Sequence, residues 1–225
     1  MIKIRKRKIH LSLRPSQILR KFFFSSKCSL CKKEVEEDEI YLCRKCREKI
    51  EKLKNLHVRK NIYYLFEYKN DIRNLIIDYK LNGRKEIGVF ISRIIEEDLK
   101  KIIRENKIDI VVPVPASREK VLERGFNQVE FILDEIGIDY KKAVREKDTL
   151  PMHRLSEKNL RKINIKSVFR CEFLAENKNI LIIDDIITTG TTVEEMIKAL
   201  ENTGKPKNIF IFSISAAPAF YKKYL

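Results

Sequence analysis

The chain has 225 residues, 44% of them hydrophobic, enough for one sizeable core plus a small appendage; global disorder is excluded. A formal charge of +16 favours an anionic partner without naming one, because lysines that merely solvate helix faces raise the same total. No apolar run approaches the roughly 18 residues of a spanning helix, and the basic, interrupted N-terminus has no signal core, so a cytoplasmic protein is expected.

Residues 1–27 contain nine Lys and Arg and no acid, with Phe22, Phe23 and Phe24 near their end. Such an arm suits a phosphate backbone, with rings for stacking on single-stranded nucleic acid. The competing reading is an extension whose phenylalanines pack on the domain behind it.

Cys28-Ser-Leu-Cys31 and Cys43-Arg-Lys-Cys46 come next, two CxxC pairs separated by eleven residues. Each pair sets two thiolates on one tight knuckle, and a hairpin between the pairs would bring the knuckles together. Four thiolates suit a closed, structural zinc site with no position left for water. Disulfides and a redox pair are the alternatives; the missing secretion signal argues for reduced thiols, and a redox site needs only one CxxC. Cys171 stands alone in an expected strand and reads as a small buried hydrophobe.

A charged connector is expected at 47–60, then a strand over 61–68 rich in β-formers. Helical spacing of Ile72, Leu75, Ile76 and Tyr79 predicts a helix over 71–80, and that of Ile87, Phe90, Ile91, Ile94, Ile95, Leu99 and Ile102 another over 86–104. A strand at 109–115, a helix at 126–136 and a strand at 139–145 follow. Residues 146–165 are polar and weakly periodic, a mobile loop by pattern. Strands at 167–173, 179–184 and 208–215 and a helix over 191–203, stopped by Gly204 and Pro206, complete the pattern. This alternation predicts an α/β fold, a parallel sheet flanked by helices, with chemistry at the strands' C-terminal ends. The expected division is a basic arm (1–27), a zinc-binding module with its connector (28–60) and the α/β domain (61–225).

The stretch ILIIDDIITTGTT, residues 180–192, carries the most chemistry. An apolar strand ends in Asp184 and Asp185, and Thr188, Thr189, Gly190, Thr191 and Thr192 open a helix. A helix N-terminus offers unpaired N–H groups and partial positive charge, and glycine lets an anion approach the backbone. The threonines suit a phosphate; the carboxylates suit sugar hydroxyls or a magnesium-bound sugar. The sequence resembles the phosphoribosyl-pyrophosphate (PRPP) motif of type I phosphoribosyltransferases. Upstream, Val112-Pro-Val-Pro115 stiffens a loop bearing Ser117 and Arg118, and Arg124-Gly-Phe-Asn-Gln128 follows; two arginines there could clamp a pyrophosphate.

Paired CxxC motifs, then PVP and RGFNQ, then the PRPP motif are together similar to the ComF family of competence-associated, phosphoribosyltransferase-like proteins. The agreement spans about residues 28–215. Lys80 and Gly83 match a Lys-x-x-Gly element of that family. The resemblance implies that Asp184 and Asp185 hold the ribose hydroxyls, Thr188–Thr192 the 5′-phosphate, and Ser117 and Arg118 the pyrophosphate, with Arg124 and Lys80 also at the site. Thr149 and Met152 stand where the family carries Thr-x-x-Gln, so a Gln amide is lost; Arg161 and Asn164 resemble the Arg-x-x-Asn that closes the segment. Purine-salvage relatives place an Asp where this chain has Thr188, and a hydroxyl cannot serve as general base near neutral pH, so ordinary purine salvage is not expected. The resemblance implies structural zinc, magnesium with PRPP, and a role in handling incoming single-stranded DNA during natural transformation, with competence or recombination proteins as partners. Two alternatives stay open: a phosphoribosyltransferase acting on another acceptor without a DNA role, and a PRPP-sensing regulator.

Overall fold

The computed structural model describes residues 27–35, 41–146 and 168–220. A five-stranded sheet forms the centre, built from β1 (His57–Arg59), β2 (Ile62–Glu67), β3 (Ile110–Pro113), β6 (Asn179–Ile187) and β7 (Asn208–Ala216) in the order β1-β2-β7-β6-β3. β2, β7, β6 and β3 run parallel, and β1 is an antiparallel edge strand on β2. The sheet is thus mixed, not wholly parallel. A short turn at Lys60 and Asn61 returns the chain directly onto β1, which only an antiparallel pair allows.

β6 and β7 occupy the middle because both sides of their apolar runs find cover. Leu181, Ile183, Phe210, Phe212 and Ile214 join one apolar cluster with the helices α2 (Asn70–Leu81), α3 (Lys85–Glu105) and α5 (Gln128–Ile136). Ile180, Ile182, Ile187 and Ile211 join a second, beneath Val193, Met196 and Leu200 of α6 (Thr191–Glu201). The alternation of neighbours to opposite faces is the period-two geometry of a strand. Gly88 lets α3 approach closely: a Cβ there would lie 2.7 Å from the Tyr79 hydroxyl and 2.8 Å from a Phe131 ring carbon.

Three readings of the pattern are corrected. The stretch 47–60 is not a plain connector: α1 (Arg44–Leu53) and β1 lie in it. Only Cys46 and Ile50 of α1 are buried, so its seven charged or polar neighbours in RKCREKIEKL hide the helix from a hydrophobicity reading. A second unexpected helix, α4 (Arg118–Arg124), has no buried residue and therefore no apolar period to betray it. The strands read at 139–145 and 167–173 shrink to β4 (Ala143–Arg145) and β5 (Phe169–Cys171), which pair antiparallel as a separate ribbon. β5 buries Cys171, as its sequence setting implied, and that burial pushes the thiol up to about 11.

Cys28, Leu42, Cys46 and Ile50 belong to the same apolar cluster as Leu65, Leu75 and Ile91, so the knuckle packs directly on the helical layer. Among the described residues, no helix is long and apolar enough to cross a membrane. Phe22–Phe24, Thr149, Met152, Arg161 and Asn164 lie outside the described residues.

Candidate functional site

The site grows from the crossover between β6 and α6. Asp184 sits opposite Ser213 of β7, and β6 continues to Ile187, three residues further than the sequence pattern set its end. The Asp185 N–H donates to Asp184 Oδ1 at 2.8 Å, fixing one carboxylate against the next residue's backbone. Lys80, from the last turn of α2, places its Nζ 2.7 Å from Asp185 Oδ1. Burial pushes the Asp184 carboxyl up to about 7; the neighbouring Asp185 charge adds to this, while the Lys80 ammonium and the Asp185 N–H oppose it. Asp185 is thus paired with an ammonium, and Asp184 is poised to keep its proton near neutrality.

Gly190 turns the chain at φ 82° and ψ −6°, a left-handed conformation that costs other residues energy, and α6 starts immediately after it. No side chain caps α6. Thr188, Thr189, Thr191 and Thr192 are exposed around its first turn, with the Thr189 and Thr191 hydroxyls 3.0 Å apart. An uncapped helix N-terminus, paired hydroxyls and the helix dipole are the chemistry that suits an anion.

The second segment reaches the same end of the sheet, because the Val114 N–H donates to the Ile183 carbonyl at 2.8 Å, one residue before Asp184. Ser117 there accepts the Lys120 N–H at 3.4 Å and caps α4. Arg118 and Arg124 lie at the two ends of α4 and form no ion pair with any described residue. RGFNQ proves to be a joint: Gly125 ends α4 at φ 81°, and Asn127 Oδ1 accepts the Val129 and Glu130 N–H groups at 2.9 and 3.3 Å to start α5. Gln128 is buried, and its carbonyl accepts the Tyr79 hydroxyl at 2.9 Å, tying α5 to the residue beside Lys80. The Gln128 Nε2 has no hydrogen-bond partner among the described residues.

Sequence reasoning missed Arg84. Its guanidinium donates to Asp78 Oδ2 at 2.8 Å and to Ser29 Oγ at 2.9 Å, and stacks 4.3 Å from the Tyr41 ring centre. The adjacent Lys-x-x-Gly element was its only signal. Gly83 itself turns at φ +59°, where a Cβ would lie 3.6 Å from the Arg124 carbonyl oxygen.

The thiol groups of Cys28, Cys31, Cys43 and Cys46 all lie within 4.8 Å of one another, with Cys31 and Cys43 sulfurs 3.8 Å apart. Zn–S bonds of about 2.3 Å in a tetrahedron space sulfurs by about 3.8 Å, so the cluster fits zinc. The Ser29 N–H donates to the Tyr41 carbonyl at 2.7 Å, joining one knuckle to the chain entering the other. Burial opposes ionisation at Cys28, yet N–H groups from Cys31, Cys43 and Leu30 bring it down to about 7. Burial and the neighbouring thiols instead raise Cys46. Cys28 thus opposes ionisation of Cys46, a conflict that a central dication would relieve.

This sheet and crossover define a phosphoribosyltransferase-type α/β protein. Residues 88–221, more than half of the chain, match the phosphoribosyl transferase domain family, and the chain belongs to that family. DNA utilization protein YhgH of Escherichia coli K12 is 30% identical over 147 residues, covering 61% of this chain and 64% of that protein. Competence protein ComFC of Streptococcus pneumoniae R6 is 29% identical over 153 residues, 67% of this chain and 66% of the relative. Competence protein ComFC of Bacillus subtilis 168 is 24% identical over 194 residues, 83% and 76% respectively. The chain thus spans just under two thirds of the Escherichia coli relative's length. These names agree with the ComF resemblance of the motifs.

Proposed function

We propose that the chain binds PRPP with magnesium at the β6–α6 crossover and aids the handling of incoming single-stranded DNA in natural transformation. One observation carries the first half: the Asp184–Asp185 pair lies near the end of the strand that leads, through Ile186–Thr189, to an uncapped helix N-terminus opened by Gly190. In this reading the two carboxylates take the ribose hydroxyls, and the Thr188–Thr192 turn takes the 5′-phosphate. Lys80 holds Asp185 in place through their ion pair. Arg118 and Arg124 supply positive charge toward the pyrophosphate from α4. Asp184 and Asp185 would hold the magnesium that accompanies the sugar; when bound, that ion neutralises pyrophosphate charge. Zinc in the four-cysteine cluster is structural.

The DNA half is supported by the net charge of +16 and by the names of the relatives.

Calorimetry of PRPP with magnesium tests the site. Wild type should bind, while Asp184→Asn with Asp185→Asn should weaken affinity at least roughly tenfold, a change of about 1.4 kcal/mol, with zinc retained. Unchanged affinity in that double variant would refute the site. Single-stranded DNA affinity should fall linearly on a log–log plot against salt, as phosphate neutralisation requires. A flat response would remove the backbone-binding half.

A further inference from the structure

The acidic pair and the four-cysteine knuckle are joined by one short turn. Lys80 ends α2 with its ammonium on Asp185. Only Asn82, Gly83 and Arg84 separate α2 from α3. Arg84 then reaches back to Asp78, two residues before Lys80, at 2.8 Å, and outward to Ser29 at 2.9 Å. Asn82 also donates to Asp78 through its side-chain amide.

The knuckle end is gripped on both halves. Ser29 lies between Cys28 and Cys31 and is only 4% exposed, so its hydroxyl cannot swing to solvent. Tyr41, whose ring stacks on the same guanidinium, stands two residues before Cys43. One guanidinium thus touches both knuckles, Ser29 through Nη1 and Tyr41 through its plane, and parting the knuckles would separate those two contacts. Both hydrogen bonds leave the one nitrogen Nη1, and the guanidinium plane adds the stack on Tyr41, which a lysine has no plane to reproduce.

We propose that Arg84 is a positioning residue that clasps the Lys80 turn to the closed four-cysteine knuckle, so that metal occupancy of the knuckle tightens the ribose site. The inference rests on the reading of 184–192 as a PRPP site. With the knuckle closed, Arg84 is anchored at three points and the turn holds Lys80 against Asp185. With the knuckle open, Ser29 and Tyr41 leave, and the turn keeps only its internal Asp78 contact. Coupling of this kind is reciprocal: if zinc strengthens PRPP binding, PRPP must strengthen zinc binding by the same factor.

The test uses the zinc-loaded full chain, with PRPP and magnesium as ligand. Two quantities are read: PRPP affinity by calorimetry, and the extent of zinc transfer to a chromophoric chelator at equilibrium, with and without PRPP. In wild type, PRPP should reduce zinc transfer. Arg84→Ala should still hold one zinc per chain but bind PRPP roughly tenfold more weakly, and PRPP should no longer protect its zinc. Ser29→Ala removes only the hydroxyl leg and should show a smaller loss in both; it answers the question if Arg84→Ala fails to fold. Affinity within twofold of wild type in a folded variant, with zinc protection intact, would overturn the inference and leave Arg84 as simple glue. Absence of PRPP binding in wild type would instead overturn the site itself.

Discussion

Asp184 gives the ligand-free protein a pH dependence of definite sign. Its carboxyl rests at about 7 in the folded chain against 3.8 for an ordinary aspartate, because burial and the Asp185 charge penalise ionisation. Between those values the folded state binds the proton more tightly than the unfolded one. The corresponding stability is complete below about pH 4 and is lost as pH rises through about 7. Thermal melts without ligand should therefore show a falling Tm from about pH 5 to about pH 8, and Asp184→Asn should flatten that part of the fall. A wild-type Tm that climbs over this range without flattening in the variant would contradict the placement of Asp184. The acids and the glycine of this site were readable in sequence because their spacing along one strand–turn–helix is local. Lys80 was readable only through its family element, and its pairing with Asp185 was not readable at all. Lys80 and Arg84 meet Asp185 and Ser29 only through tertiary packing, and no periodicity encodes such pairs.

Legibility of the elements followed apolar area. The long helix α3 announced itself within a residue at each end, since Ile87, Ile91, Ile94, Ile95, Leu99 and Ile102 are all buried. α4 did not, because it buries nothing and relies on the Ser117 cap and the Gly125 stop. α3 also contains the tightest packing constraint described. Gly88→Ala would drive a methyl into Tyr79, which is fully buried and hydrogen-bonded to Gln128, so the ring has no room to yield. A loss of about 1–3 kcal/mol is expected in denaturant melts, the usual range for overpacking. Tyr79 neighbours Lys80, so PRPP affinity should fall along with stability. A neutral Gly88→Ala would mean that α2 and α3 adjust without cost.

At the scale of the whole molecule, the four-cysteine knuckle is part of the main core. Cys28, Leu42, Cys46 and Ile50 share an apolar cluster with strand and helix residues of the phosphoribosyltransferase fold. Stripping zinc with a strong chelator should therefore lower the Tm of the single unfolding transition, by ~5 °C or more. A small, separate transition at unchanged main Tm would show instead an independent module. Cys43→Ser should reproduce the chelator's effect.

The sheet's two margins carry a last consequence. On one side stands β1, three residues long and carrying exposed Arg59; on the other, the Val111 carbonyl of β3 already accepts the Lys141 N–H at 2.9 Å. A brief, cationic margin and an occupied one offer poor templates for a neighbouring chain to add itself as an extra strand. Addition of a foreign strand by backbone pairing is thereby disfavoured at these two borders of the five-stranded sheet.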